Sequence, residues 1–239
     1  MKTEIKLTVL AILLPICLLT KAQEEMRDTL FTQRNVCGKI EYARFKEVES
    51  DNRKLKNDTI FLKSILKTKK EDGFCLVSET TDDLGVTYKK FQQYYKGIQV
   101  DNAEYLLHGR NGIIEVISGN FHEINIETTT PTINERQAME KALEYVGAIK
   151  YKWEDEAMEV FVKQHSDNPN ATYYPKGELV IAEDNLKENG AFKLAWKFIV
   201  SSLEPYNEQM IFVDAIKGEA VRVIPLMLKS NIAGTAETR

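Results

Sequence analysis

Cysteine, histidine, glycine and proline are all scarce in this 239-residue chain, which holds three Cys, three His, 12 Gly and six Pro. So little Gly and Pro, beside 43% hydrophobic and 28% charged residues, excludes collagen-like, low-complexity and disordered classes. The same composition argues against a multi-span membrane protein, and the uncharged apolar run from Leu7 to Thr20 is too short to span a bilayer comfortably. No basic block occurs and the formal charge is −4, which argues against a nucleic-acid partner. Zinc chemistry lacks its ligands, because there is no CxxC pair and no two of His108, His122 and His165 stand at helical i, i+4 spacing. His122-Glu123 begins like HExxH, but Ile126 stands where the second histidine belongs and the segment reads as a strand. GxSxG, Walker and dinucleotide fingerprints are also missing. The acidic clusters Asp82-Asp83 and Glu154-Asp155-Glu156 read as solvated faces before they read as calcium sites. No catalytic constellation and no cofactor site remain, so the chain does not read as an enzyme.

What is present begins with a leader. Lys2 and Lys6 precede the apolar run, and Thr20-Lys21-Ala22 offers the small residues that a signal peptidase reads, which predicts cleavage between Ala22 and Gln23. The alternative is an uncleaved N-terminal anchor. Cys17 follows Leu14-Pro15-Ile16, which lacks the small residue a lipidation box needs before its cysteine. A secreted chain, extracellular or periplasmic and without a stable membrane anchor, is expected. Losing Lys2, Glu4, Lys6 and Lys21 takes the net charge to about −6. Cys37 and Cys75 then remain, an even number in an oxidising compartment. A single disulfide and two buried thiols are the alternatives.

Residues 23–56 form a polar lead-in, with a short apolar patch at Ile40, Tyr42 and Phe45 and at most one strand or helix. Asn57-Asp58-Thr59 is placed to cap a helix whose Ile60, Phe61, Leu62, Ile65 and Leu66 cluster on one side, with Lys67, Lys69 and Lys70 near its negative end. Short β-rich runs follow at 74–77, 88–95, 98–107, 113–117 and 121–126, separated by Lys96-Gly97 and Gly109-Arg110-Asn111-Gly112, as in an antiparallel meander. After the extended 128–132 stretch, Thr132-Ile133-Asn134-Glu135 fits a capping box. Ala138, Met139, Ala142, Leu143, Tyr145 and Val146 then keep helical spacing up to Gly147. Residues 150–177 are mixed, and strands return at 178–182, 192–201, 209–214 and 219–224. Helix-then-sheet, twice, predicts an α+β chain of two modules, 57–127 and 132–226, each an antiparallel sheet packed with a helix.

The run from Leu84 to Val100, LGVTYKKFQQYYKGIQV, followed by Glu104-Tyr105 and His108, resembles the fungalysin/thermolysin propeptide motif, which reads approximately GxTHxRFQQxYxGIPVxxxEYxxH. Tyr88, Lys90 and Gln99 replace the motif's usual histidine, arginine and proline. Phe91, Gln92, Gln93, Tyr95, Gly97, Ile98, Val100 and His108 keep its pattern. The second module is similar to a PepSY domain through the Ala138–Gly147 helix, through Ala195-Trp196-Lys197-Phe198 and through FVDAIKGE, which holds Asp214 and Gly218. Together the two modules resemble, over 57–226, the prosegment of thermolysin-like zinc metallopeptidase precursors. Asn231 to Arg239 resembles the junction, 227–239, where such precursors pass into the mature protease.

The resemblance implies a cystatin-like second module, a prosegment without its enzyme, and a role as intramolecular chaperone and cleft-blocking inhibitor. Its partner would be a thermolysin-like catalytic domain, in cis or in trans, and zinc and calcium would belong to that domain alone. A free-standing inhibitor or chaperone, or a peptide-binding module acting in trans, is the alternative. Physically, Phe91, Tyr95, Ile98 and Val100 alternate as core-packing strand residues, Trp196 and Phe198 read the same way, and Asp214 to Glu219 reads as a turn. Gln92 and Gln93, being adjacent on a strand, are expected on opposite faces, with at most one in the core.

Overall fold

The computed structural model of the chain describes residues 28–47, 53–187 and 190–227. The leader, its cleavage point at Ala22 and Gln23, and all of the 227–239 junction but Met227 lie outside them. The architecture is α+β, and contacts divide it into a unit ending at Glu123 and a unit starting at Ile124.

In the first unit the strands are β1 (Thr29–Arg34), β2 (Ile40–Phe45), β3 (Asp72–Thr81), β4 (Val86–Tyr95), β5 (Ile98–Arg110) and β6 (Ile113–Gly119), with one helix, α1 (Asp58–Leu66). All pairings are antiparallel, in the order β1-β2-β6-β5-β4-β3. The helix buries Phe61, Leu62, Ile65 and Leu66 in one cluster with Phe45, Phe91, Tyr105, Leu107, Ile114 and Ile117. Ile60, expected on that face, is 69% exposed. The β4–β5 turn places Lys96 at φ 47° and Gly97 at φ 81°. This is the two-residue geometry whose twist suits a tight hairpin and for which glycine carries no steric cost.

Two expectations need correcting here. The 23–56 lead-in supplies two strands and not at most one. A register irregularity opposite Ile40 and Tyr42 leaves Ile40, Ala43 and Phe45 as the buried residues of β2, which breaks the alternation that marks a strand. The run 121–126 is not a strand. Its backbone is held instead by a side chain, as described below.

The second unit contains α2 (Glu135–Val146), β7 (Lys150–Tyr151), α3 (Glu156–His165), β8 (Glu178–Glu183), β9 (Phe192–Glu204), β10 (Tyr206–Asp214) and β11 (Ala220–Pro225). Strand order is β8-β9-β10-β11, antiparallel, with the short β7 on the far end of β9. Helix α2 lays Ala138, Met139 and Ala142 against Phe198, Val200, Ile211 and Val213. Val180, Ala182, Ala195, Phe212 and Val221 form a second cluster. The capping box is real but sits two residues later than expected. Asn134 is the cap, its Oδ1 accepting from the Gln137 amide at 3.0 Å while the Gln137 side chain accepts from Asn134 N–H at 3.0 Å. Gly147 ends the helix in the left-handed conformation, as expected. Helix α3, which fell in the stretch read as mixed, buries no residue fully but half-buries Met158 and Val162, four apart on one face.

Candidate functional site

The propeptide-like run falls on β4, its turn and β5. Phe91, Tyr95 and Val100 are buried and Ile98 is half-buried. Phe91 pairs across the strands with Tyr105, whose hydroxyl donates to the Ile40 carbonyl and whose phenol is pushed up by burial.

Both glutamines are buried, Gln92 at 7% and Gln93 at 0% exposure, which corrects the expectation that at most one could be. The cause is an irregularity in the β4–β5 ladder. Gln92 pairs with Glu104 and Tyr94 with Gln99, so residues 100–103 bulge out of β5, with Asn102 at φ 55°. The bulge turns carbonyls away from the ladder, and the Gln92 amide collects them. Its Nε2 donates to Val100 O at 2.7 Å, Ala103 O at 3.0 Å and Gln93 O at 3.1 Å. On the other face Gln93 imitates a strand. Its Nε2 donates to His122 O at 2.8 Å, and its Oε1 accepts from His122 N–H at 3.0 Å. An amide side chain presents a donor and an acceptor side by side, as a backbone strand does, and so closes this two-way bond without a charge. The segment after β6 is thereby fixed without a ladder of its own, and Phe121 packs its ring 6.2 Å from Phe74.

His108 lies edge-on to Tyr88, with centroids 4.8 Å apart, and burial lowers its pKa. The Tyr88 hydroxyl donates to Asp82 Oδ2 at 2.9 Å, and this bond raises the phenol. Asp82 Oδ1 accepts from the Leu84 and Val86 amides, so this acid of the first cluster closes the β3–β4 turn. Asp155 of the second cluster caps α3, accepting from the Ala157 and Met158 amides, and meets Lys150 at 2.6 Å.

In the second unit Trp196 donates from Nε1 to Ile133 O at 3.0 Å and Phe198 is buried. Asp214 Oδ1 accepts from the Ile216 and Lys217 amides at 2.7 and 3.0 Å, and Gly218 N–H returns to Asp214 O, so this motif is a turn. A half-open cleft of ≈ 430 Å³ lies between the 172–176 loop and the outer face of β9 and β10, with Ile199 and Met210 on its floor. Cys37 and Cys75 are both free and both exposed, so neither a disulfide nor a pair of buried thiols is found.

Sequence reasoning missed the buried cations. Arg53 donates to Ile114 O at 2.7 Å and Lys46 O at 3.1 Å, Lys89 meets Asp58 at 2.8 Å, and Lys152 meets Glu208 at 3.1 Å. For Lys89 a signal existed, since it stands two residues from Phe91 and therefore on the same strand face. Among the described residues no group of three or more His, Cys, Asp or Glu is arranged to hold a metal ion.

The glutamines, Tyr88 and His108 of this run are thus engaged with backbone, turn and neighbouring rings. Residues 72–121 match the family model described as the Fungalysin/Thermolysin Propeptide Motif. This stretch is similar to that propeptide motif. It runs from the first residue of β3 to Phe121, so it takes in the β3–β6 meander and the ring that closes it. No curated protein matches the chain. Among solved structures, the Bacillus megaterium YpeB C-terminal domain is similar at 14% identity and a TM-score of 0.34, over 80% of this chain and 74% of that one.

Proposed function

We propose that the chain is the prosegment of a secreted thermolysin-like metallopeptidase, non-catalytic itself, which assists folding of the protease and blocks its cleft until it is cut away. The observation that carries this reading is the propeptide motif at 72–121, whose two glutamines are both spent on backbone groups. In this reading 57–127 is the propeptide-motif domain and 132–226 a PepSY-like domain, and the leader before Gln23 directs export. Covalent attachment gives a prosegment a high effective concentration at its protease, which favours both folding assistance and inhibition. The chain leaves β11 still extended, with Leu226 N–H bonded to Glu208 O beyond the last residue of the strand. That direction suits a tail that enters a protease cleft as a substrate-like strand.

The test compares residues 23–239 with a version ending at Pro225 as inhibitors of a purified thermolysin-like protease, and as additives in refolding that protease from denaturant. Inhibition that needs the tail, with a higher refolding yield from either version, is expected. The absence of both inhibition and improved refolding would refute the proposal.

A further inference from the structure

We propose that the cleft between the 172–176 loop and the outer face of β9 and β10 is the seat of the chain's own tail, with Leu228 and Ile232 laid across its floor. A tail seated there is withheld from any other cleft. The inference concerns the chain alone and its test contains no protease, so it stands or falls apart from the protease reading. The floor is apolar and open, for Ile199 is 49% exposed in the middle of a four-stranded sheet and Met210 beside it is half-buried. Its ionic groups are already spent. Lys197 meets Glu178 at 2.7 Å, and Glu208 Oε2 takes Lys152 at 3.1 Å and the Ser201 hydroxyl at 2.9 Å. A charged occupant would compete with these pairs, whereas an uncharged apolar one leaves them intact.

The geometry of β11 selects the tail. Ile224 stands opposite Met210, and the Leu226 N–H donates to the carbonyl of Glu208, so the strand ends alongside two residues that line the cleft. Leu226, two residues on from Ile224, keeps to the same face. The middle of the cleft, at Ile199, lies two inter-strand spacings from β11, about 10 Å. Leu228 and Ile232 are two and six residues beyond Leu226, an extended reach of roughly 7 and 20 Å, so the first covers Met210 and the second passes Ile199 to the loop. From Leu226 to Ala236 the only charged residue is Lys229. The chain's other stretches outside the described residues fit less well. Residues 1–27 and 48–52 join the first unit, and those nearest its strands carry Glu24, Glu25, Glu49 and Asp51, while 188–189 is two residues long. Attachment then favours the tail over a free ligand. A short tether gives an effective concentration of about 1 mM, which holds a segment whose free Kd is ~0.1 mM in its seat about nine-tenths of the time.

The test compares amide signals and amide exchange of residues 23–239 with those of a version ending at Met227, which keeps every strand. Truncation should shift the signals of Ile199, Ser201, Glu208 and Met210 and quicken exchange at Tyr174 and Lys176 by about tenfold. Leu228→Asp with Ile232→Asp, in the tail, should do the same with the thermal melt unchanged. A free peptide of residues 226–239, added to the shortened chain, should return the signals and change the fluorescence of Trp153, whose ring lies 5.8 Å from that of Tyr174. Ile199→Lys, checked by its melt, should weaken that peptide at least about fivefold. Signals and exchange that are the same with and without the tail, or a peptide that binds Ile199→Lys as well as the shortened wild type, would overturn the proposal. Protection at the cleft that rises with protein concentration would assign the seat to the tail of a second copy and overturn it too.

Discussion

Gln92→Met isolates what the first motif glutamine does. Methionine keeps the length and volume of the side chain but offers no donor, so Val100 O and Ala103 O lose the bonds they receive at 2.7 and 3.0 Å beside residues that are 0% exposed. A buried carbonyl left without a donor costs about 1–3 kcal/mol, so the two together should remove about 2–6 kcal/mol of first-unit stability. With a urea dependence of ~2 kcal/mol/M, the midpoint of that unit falls by about 1–3 M. Both tryptophans, Trp153 and Trp196, lie in the second unit, so their fluorescence serves as an internal control. The first unit is followed by amide exchange in β4 and β5. Gln99→Met, which loses only a 3.5 Å contact to Gln92 Oε1, should cost less than about 1 kcal/mol. Gln92→Glu extends the test with a sign. Its carboxylate would face three carbonyl oxygens, so its folded-state pKa lies above the unfolded value. The variant should therefore be weakest at neutral pH and recover as pH falls through that raised pKa. A midpoint for Gln92→Met within ~0.3 M of wild type, or a Gln92→Glu variant indifferent to pH, would refute the reasoning.

Gly119→Ala should cost more than about 2 kcal/mol and sharply lower the yield of folded protein. Its φ is 155°, and an added Cβ would collide with Glu104 O and Tyr105 Cα. Asp155→Ala removes the cap of a helix that buries no residue fully, so about 1 kcal/mol is lost locally. Amide exchange across Glu156–His165 should quicken while the main melt stays in place. Burial raises the carboxyl of Asp72 in spite of the bond it accepts from Lys69 N–H. The native state then holds that proton more tightly than the unfolded chain, so wild type gains on Asp72→Asn as pH falls from the raised value through the ordinary carboxylate range. Urea titrations of both proteins from about pH 7 to about pH 3 would check the sign.

Patterns that depend on near neighbours in the chain determined most elements. The spacing of Phe61, Leu62, Ile65 and Leu66, and of Ala138, Met139 and Ala142, gave two helices their buried faces. The alternation through β4, β5, β9 and β10 gave the ladders, and Lys96-Gly97 gave a hairpin. The propeptide motif was legible because it is a local run of side chains in fixed order. Helix α3 was passed over although Met158 and Val162 keep helical spacing, because its ten residues sit among acidic and turn-forming neighbours and none of them is fully buried. Strand β2 was hidden by a broken register, because alternation fails wherever the ladder skips a residue. Only the tertiary structure decided what the motif glutamines are for. A bulge in one strand and a strandless segment 29 residues away create unpaired backbone groups, and those needs exist only once distant segments meet. The exposed edge of β3 belongs to the same kind. A sequence shows that a segment is a strand, but whether both of its sides are paired depends on the order in which the sheet is assembled.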